Sequence, residues 1–261
     1  MTVATEFQAT DGGLALSHAI LLYRAQGAAS RQGADAFATY HEVEQATGTP
    51  IIAAGTPLTR AQLRRWTEAL GRTAAPEILP ANVLVAHADV LAWWVPEQVR
   101  PAHFALSEPP AGLKVLAERT TVRVPYPAHL LIATRRGLGV YALPANVRPT
   151  AETTVLHSPV LNVFLDGRLC WGSIAKPKGF GIAVMAEFER AVFDSWSTHP
   201  NLGQDQTITG KGGLMRLWDD LAARGATRFP VRRLKPFNSD MNRSAKAAPI
   251  TVGALIARVA R

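Results

Sequence analysis

The sequence holds a single cysteine, Cys170, in 261 residues, so it can close no internal disulfide and build no cysteine-rich zinc site. So little thiol suits a reducing compartment, and the expected location is cytoplasmic. Long hydrophobic runs are missing as well. The most apolar stretch, NVLVAHADVLAWWV, is interrupted by His87 and Asp89 and falls short of the ~18 to 20 residues that span a bilayer. The opening MTVATEFQAT has neither the basic cluster nor the apolar segment of a secretory leader, so no membrane segment is expected. Familiar site motifs are also lacking. GKGG at 210–213 has no Ser or Thr after its lysine and has Asp205 where a phosphate-binding loop needs glycine. His41 and Glu42 are followed by Gln45 where a zinc-protease helix needs its second histidine. There is no GxSxG elbow, and no GxGxxG follows a strand. The seven histidines show no ligand spacing and read as surface or satisfied core residues, so no metal and no cofactor are expected.

What is present is enough hydrophobic residue, 48%, to bury a substantial core. Eighteen prolines and 20 glycines, spread without a period, argue for many turns and short elements, as in an α+β chain. The formal charge of +8 is concentrated at one end. Arg224, Arg228, Arg232, Arg233, Lys235, Arg243, Lys246, Arg258 and Arg261 face only Asp240 in that segment, and the rest of the chain is balanced. A basic end of this kind is either a solvated tail or a surface for an acidic protein or nucleic acid.

LALSHAILLY and FATYHEV have the aromatic and aliphatic content of strands. Thr59 and Gln62 form a capping-box pattern that opens a helix, with Leu63, Trp66 and Leu70 on one face as core and Gly71 as its stop. TAAPEILPAN reads as a connection. VLAWWVP, TVRV, HLLIAT and LGVYAL read as strands, the last two joined as an antiparallel hairpin through Arg135, Arg136 and Gly137. Trp93 and Trp94 should point to opposite faces of their strand. Residues 144–180 show no clear element, yet LNVFLDGRLCWGSI is too apolar to leave in water, which predicts packed irregular backbone. GIAVMAEFERAVFDSW follows as a helix with Ile182, Met185, Phe188, Val192 and Trp196 on one face. GGLMRLWDDLAARG follows as another, with Leu214, Leu217, Trp218 and Leu221 inward and Gly225 as its stop. The expected organisation is an N-terminal α+β unit at 1–78, a main domain at 79–236 and a basic tail at 237–261. Within the main domain the order is an antiparallel meander, a cysteine-bearing loop and helices.

A lone intracellular cysteine is a small buried hydrophobe or a nucleophile, and its surroundings must decide. Asn162 lies eight residues before Cys170, Gly167 three before it, and Leu169 directly before it. This run resembles the active-site segment of ubiquitin-conjugating enzymes, where the asparagine of a His-Pro-Asn triplet and a glycine stand at those spacings. VPYPAHLLIAT looks like the Tyr-Pro strand upstream in that family. NVFLDGRLCWGS, VLHSP and DSWSTH look more closely like the protein B family of the PRTRC system, with the likeness specific over about 121–235. That family is grouped with prokaryotic relatives of the conjugating fold and occurs in bacterial plasmid-type cassettes beside ThiF-like activating proteins and JAB-like peptidases.

The resemblance implies a ubiquitin-conjugating-like fold in which Cys170 carries a small ubiquitin-like protein as a thioester and passes it to an amine. It makes Asn162 the candidate donor to the oxyanion, and Asp166 a carboxylate that could take the incoming amine's proton. A thiol with a pKa near ~8.5 is mostly protonated at neutral pH, and Arg168 and a helix beginning near Phe180 are the candidates for lowering it. Val160 and Leu161 replace the His-Pro of the triplet, leaving a turn-capping role for Asn162 open. His199-Pro200-Asn201 repeats the triplet's letters after the cysteine and reads as helix termination. Trp171 either walls the thioester or packs. Three other functions stay open: an inactive binding module of the same fold, a basic protein touching nucleic acid in plasmid maintenance, and a cysteine hydrolase pairing Cys170 with His157 or His199.

Overall fold

A computed structural model describes residues 16–24, 36–44, 50–69, 77–200, 204–238 and 249–259. The chain divides into two compact units, 1–77 and 78–261. In the first, β1 (His18–Arg24) pairs antiparallel with β2 (Ala36–Glu44), from His18 opposite Glu42 to Arg24 opposite Ala36. The two-residue strands β3 (Ile51–Ile52) and β4 (Thr56–Pro57) also pair with β2. Helix α1 (Arg60–Ala69) opens with the expected capping box. The Thr59 amide donates to Gln62 Oε1 at 2.8 Å, and the Gln62 amide donates back to Thr59 Oγ1 at 3.3 Å.

The apolar face expected of α1 is only partly realised. Trp66 packs edge-on against Tyr40 and His18, but Leu63 is 47% exposed. Leu70 and Gly71 lie outside the described residues. His41 is a satisfied core histidine whose ring nitrogens meet Thr39 Oγ1 at 2.6 Å and the Ala53 carbonyl at 2.8 Å.

The second unit is built on a five-stranded antiparallel sheet in the order β11-β10-β9-β6-β5. These strands are β5 (Val83–Ala86), β6 (Val90–Val95), β9 (His129–Thr134), β10 (Gly137–Ala142) and β11 (Leu156–His157). The β9–β10 hairpin closes with Thr134 opposite Gly137, placing Arg135 and Arg136 in a two-residue turn. A smaller sheet runs β12-β7-β8, with β7 (Gln98–Phe104), β8 (Thr120–Tyr126) and β12 (Trp196–Ser197). Strand β7 is hard to read from its letters because Pro101 interrupts it. Its parallel neighbour β12 reaches only His103 and Phe104, so among the described residues no strand pairs with one side of Pro101.

Both faces of the larger sheet are covered, which explains why its central strands read as continuous apolar runs rather than alternating ones. Leu91, Trp93, Leu131 and Val140 face the main core. There they meet Phe104 and Tyr126, helix α2 (Met185–Phe193) and helix α3 (Gly213–Ala223). Leu130, Ile132 and Tyr141 face a second cluster with Phe237 and helix α4 (Val252–Val259). Trp93 and Trp94 do point to opposite faces, and Trp93 donates its indole N–H to Glu189 at 2.9 Å. Each large side chain sealed this way contributes about 1.5 to 3 kcal/mol. Of residues 237–261, expected as a basic tail, α4 buries Val252 and Leu255 against the sheet.

Helix α3 matches its expected inward face and ends as expected at Gly225, whose φ of +57° allows Ala226 N–H to reach the Leu221 carbonyl. Helix α2 is shorter than its pattern. A 3-10 turn at Ile182–Val184 precedes it and it stops at Phe193, so Trp196 leaves the expected helical face and pairs in β12 instead. The pull is tertiary: Trp196 and Ser197 pair with β7, and Ala105 and Ser107 donate to the Ser197 and Thr198 carbonyls. No helix among the described residues is long and apolar enough to cross a membrane.

Candidate functional site

Asn162, Asp166 and Cys170 all lie on one tight hairpin that docks on the sheet. Val163 bridges Leu169, Phe164 N–H donates to the Arg168 carbonyl at 2.8 Å, and Gly167 N–H donates to the Phe164 carbonyl at 2.8 Å. The return limb continues the sheet beside β10: Leu169 N–H donates to Leu138 O and Val140 N–H to Gly167 O, each at 2.8 Å. The segment is therefore irregular by strand length yet fixed by its hydrogen bonds, and Leu161, Val163 and Leu169 anchor both limbs in the main core. Gly167 is required twice over. Its φ is +85°, and a Cβ there would lie 2.2 Å from the Tyr141 ring.

Cys170 and Asn162 face each other across the base of this hairpin. The Cys170 amide donates to the Asn162 carbonyl at 2.7 Å, which ties the two residues together through the main chain. Both are half-buried. The Asn162 side-chain amide donates to the Trp196 carbonyl at 3.2 Å, an anchor invisible in the sequence because it comes from a strand 34 residues away. Trp196 is itself 39% exposed, with the Arg119 guanidinium 4.0 Å from its ring centre and His103 beside it. Trp171 packs edge-on against Phe188 of α2, and Lys176 Nζ lies over its ring. A basic trough of about 310 Å³ starts at Trp171 and runs past Lys176, Lys178, Phe180 and Arg136.

Asp166 sits apart, at the hairpin's tip. Its carboxylate accepts from Arg168 Nε at 2.6 Å and from the Arg168 amide at 3.0 Å, so the carboxylate expected to take the amine's proton and the arginine expected to favour the thiolate hold one another. The helix expected near Phe180 begins only after Val184.

Behind the hairpin a buried polar relay sets the approach to Asn162. His129 Nδ1–H donates to the Pro127 carbonyl at 2.7 Å, leaving Nε2 to accept from Ser158 Oγ at 3.2 Å, and Ser158 Oγ accepts the Val160 amide at 3.2 Å. Val160 is where the resemblance led one to expect the triplet's histidine, and the relay orders the turn from beneath. Burial pushes the His129 imidazole down to about 4, so it stays neutral and keeps this tautomer at physiological pH. His157, one of the two histidines open to the hydrolase alternative, is buried edge-on against Phe237 and is likewise pushed down to about 4 by burial and then by Lys235. His199 bonds to its neighbour, Thr198 Oγ1. Among the described residues no group of three or more His, Cys, Asp or Glu is placed to hold a metal.

Residues 62–237, more than half of the chain, match the model of prokaryotic E2 family D. No curated protein and no solved structure gives a match.

Proposed function

Because the chain belongs to prokaryotic E2 family D, the bacterial relatives of ubiquitin-conjugating enzymes, we propose that it carries a small ubiquitin-like protein as a thioester on Cys170 and transfers it to an amine. The thiolate attacks the activated carboxyl carbon of the carrier's C-terminus, a C–S bond forms and the activator's group leaves. An amine then attacks that carbon, a C–N bond forms, and the sulfur departs as thiolate while the amine gives up a proton. The reading is carried by one observation: Asn162 and Cys170 stand across the base of a sheet-docked hairpin, eight residues apart, on a turn that Gly167 alone allows. The Asn162 amide has one N–H committed to Trp196, and its other can meet charge developing on a carbonyl oxygen beside the thiol. In this reading the partners are a ThiF-like activating protein, the ubiquitin-like carrier and a JAB-like peptidase, as in the PRTRC cassette that the sequence resembles.

The test mixes the chain with the carrier and activator of its own cassette and ATP. The expected product is an adduct released by thiol reductant and absent from Cys170→Ala. No adduct under conditions where the activator is demonstrably charged removes the reading. A second reading is favoured by Val160-Leu161 in place of His-Pro and by the tether between Asn162 and Trp196. It makes the chain a binding module that holds the carrier without chemistry. It predicts a complex that survives Cys170→Ala with unchanged affinity and never becomes covalent.

A further inference from the structure

On the face of the larger sheet opposite α2 and α3, helix α4 does not close the packing completely. A cavity of about 380 Å³ remains, floored by Ile132, Tyr141, Phe237 and Leu255 and rimmed by three arginines. Its volume is that of a small-molecule site. The T-shaped pair of Tyr141 and Phe237, 4.8 Å between centres, makes an aromatic corner of its floor.

The rim is unbalanced. Arg168 is matched by Asp166 at 2.6 Å, but Arg136 and Arg258 line the same opening and pair with no carboxylate among the described residues. Like charges converging on a part-apolar opening repel, and an anion seated between them relieves that repulsion while offering the guanidinium forks their preferred bidentate partner. Tyr141 supplies a further donor at the cavity wall. Its hydroxyl makes no hydrogen bond among the described residues, and burial followed by Asp166 pushes the phenol up to about 12, so it keeps its proton.

We propose that this cavity binds a small organic anion: one carboxylate or phosphate group between Arg136 and Arg258, attached to an apolar body that rests on Tyr141, Phe237 and Leu255. Two sources share that chemistry, a nucleoside monophosphate and the terminal carboxylate of an apolar peptide. The proposal does not rest on thioester chemistry: neither Cys170 nor Asn162 lines the cavity, and Asp166, which does, is held by Arg168 at 2.6 Å.

Calorimetric titration of the full chain with AMP, with acetyl-glycyl-leucine and with inorganic phosphate alone tests it. One of the two organic anions is expected to bind more tightly than phosphate, and which one does identifies the source. Arg258→Gln and Arg136→Gln, both at exposed positions, should each weaken that binding about tenfold, the loss of roughly one charge-assisted hydrogen bond. Equal binding of inorganic phosphate, affinity untouched by both substitutions, or no heat from either organic anion at millimolar concentration overturns it.

Discussion

At the scale of the residue, the site depends on a few side chains whose work can be separated. Gly167 holds a left-handed backbone against the Tyr141 ring, so Gly167→Ala should cost at least ~1 to 2 kcal/mol from the backbone alone. Displacement of the ring adds to this, and a urea titration should show a lowered midpoint. Asn162 is half-buried and its side chain holds the Trp196 carbonyl, so Asn162→Ala should lower that midpoint only by the loss of one net hydrogen bond, about 0.5 to 1.5 kcal/mol. If its amide meets the oxyanion, the substitution should slow discharge of the charged thioester to a free amine by ~10² to 10³-fold while charging persists. Equal discharge rates would return Asn162 to a turn-capping role. Asp219 acts far from the thiol. Burial raises its carboxyl, yet the amides of Leu116, Lys114 and Val115 more than offset this and hold it below the usual carboxylate range. These three amides donate at 2.7 to 3.0 Å and pin the segment before β8 to α3, so Asp219→Ala should destabilise the fold by roughly 3 kcal/mol.

At the scale of the element, α4 is the piece whose importance is hardest to guess from its letters. It lies in a stretch dominated by basic residues, yet Val252 and Leu255 seal one face of the sheet. Leu255→Ala should cost about 2 to 4 kcal/mol in a chemical denaturation, far more than loss of a residue from a solvated tail. Elements with strong local signals were legible: the capping box of α1, the β9–β10 hairpin, and the inward face and glycine stop of α3. Those that long-range pairing decides were not. Strand β7 tolerates Pro101 because its neighbour stops short, and Trp196 is drawn out of a good helical pattern by its pairing with β7. The Asn162, Gly167 and Cys170 spacing could be read directly, because a tight hairpin is a local structure. The tether to Trp196 and the mutual capture of Asp166 and Arg168 needed coordinates, since spacing cannot say which partner a carboxylate or amide prefers.

At the scale of the whole molecule, the second unit keeps two imidazoles, His129 and His157, neutral in its interior. Their folded values lie near 4, below the ~6.5 of the unfolded chain, so the unfolded state binds more protons between those limits. The stability linked to them is complete above about pH 6.5 and is lost as pH falls toward 4, by at most ~3 kcal/mol for His129. Thermal melts from pH 7 to 4.5 should fall steadily, and His129→Gln should flatten part of that slope; an unchanged slope in this variant would assign the loss to other groups. The docking of the cysteine limb on β10 carries a last consequence. The amides of Leu169 and Val140 bond across that junction, so they should exchange with deuterated solvent only at the pace of the sheet itself. The sulfur is then carried by a rigid mount, and its alkylation by a small electrophile should follow one rate that tracks thiolate fraction and reach, with no slow phase from a swinging loop.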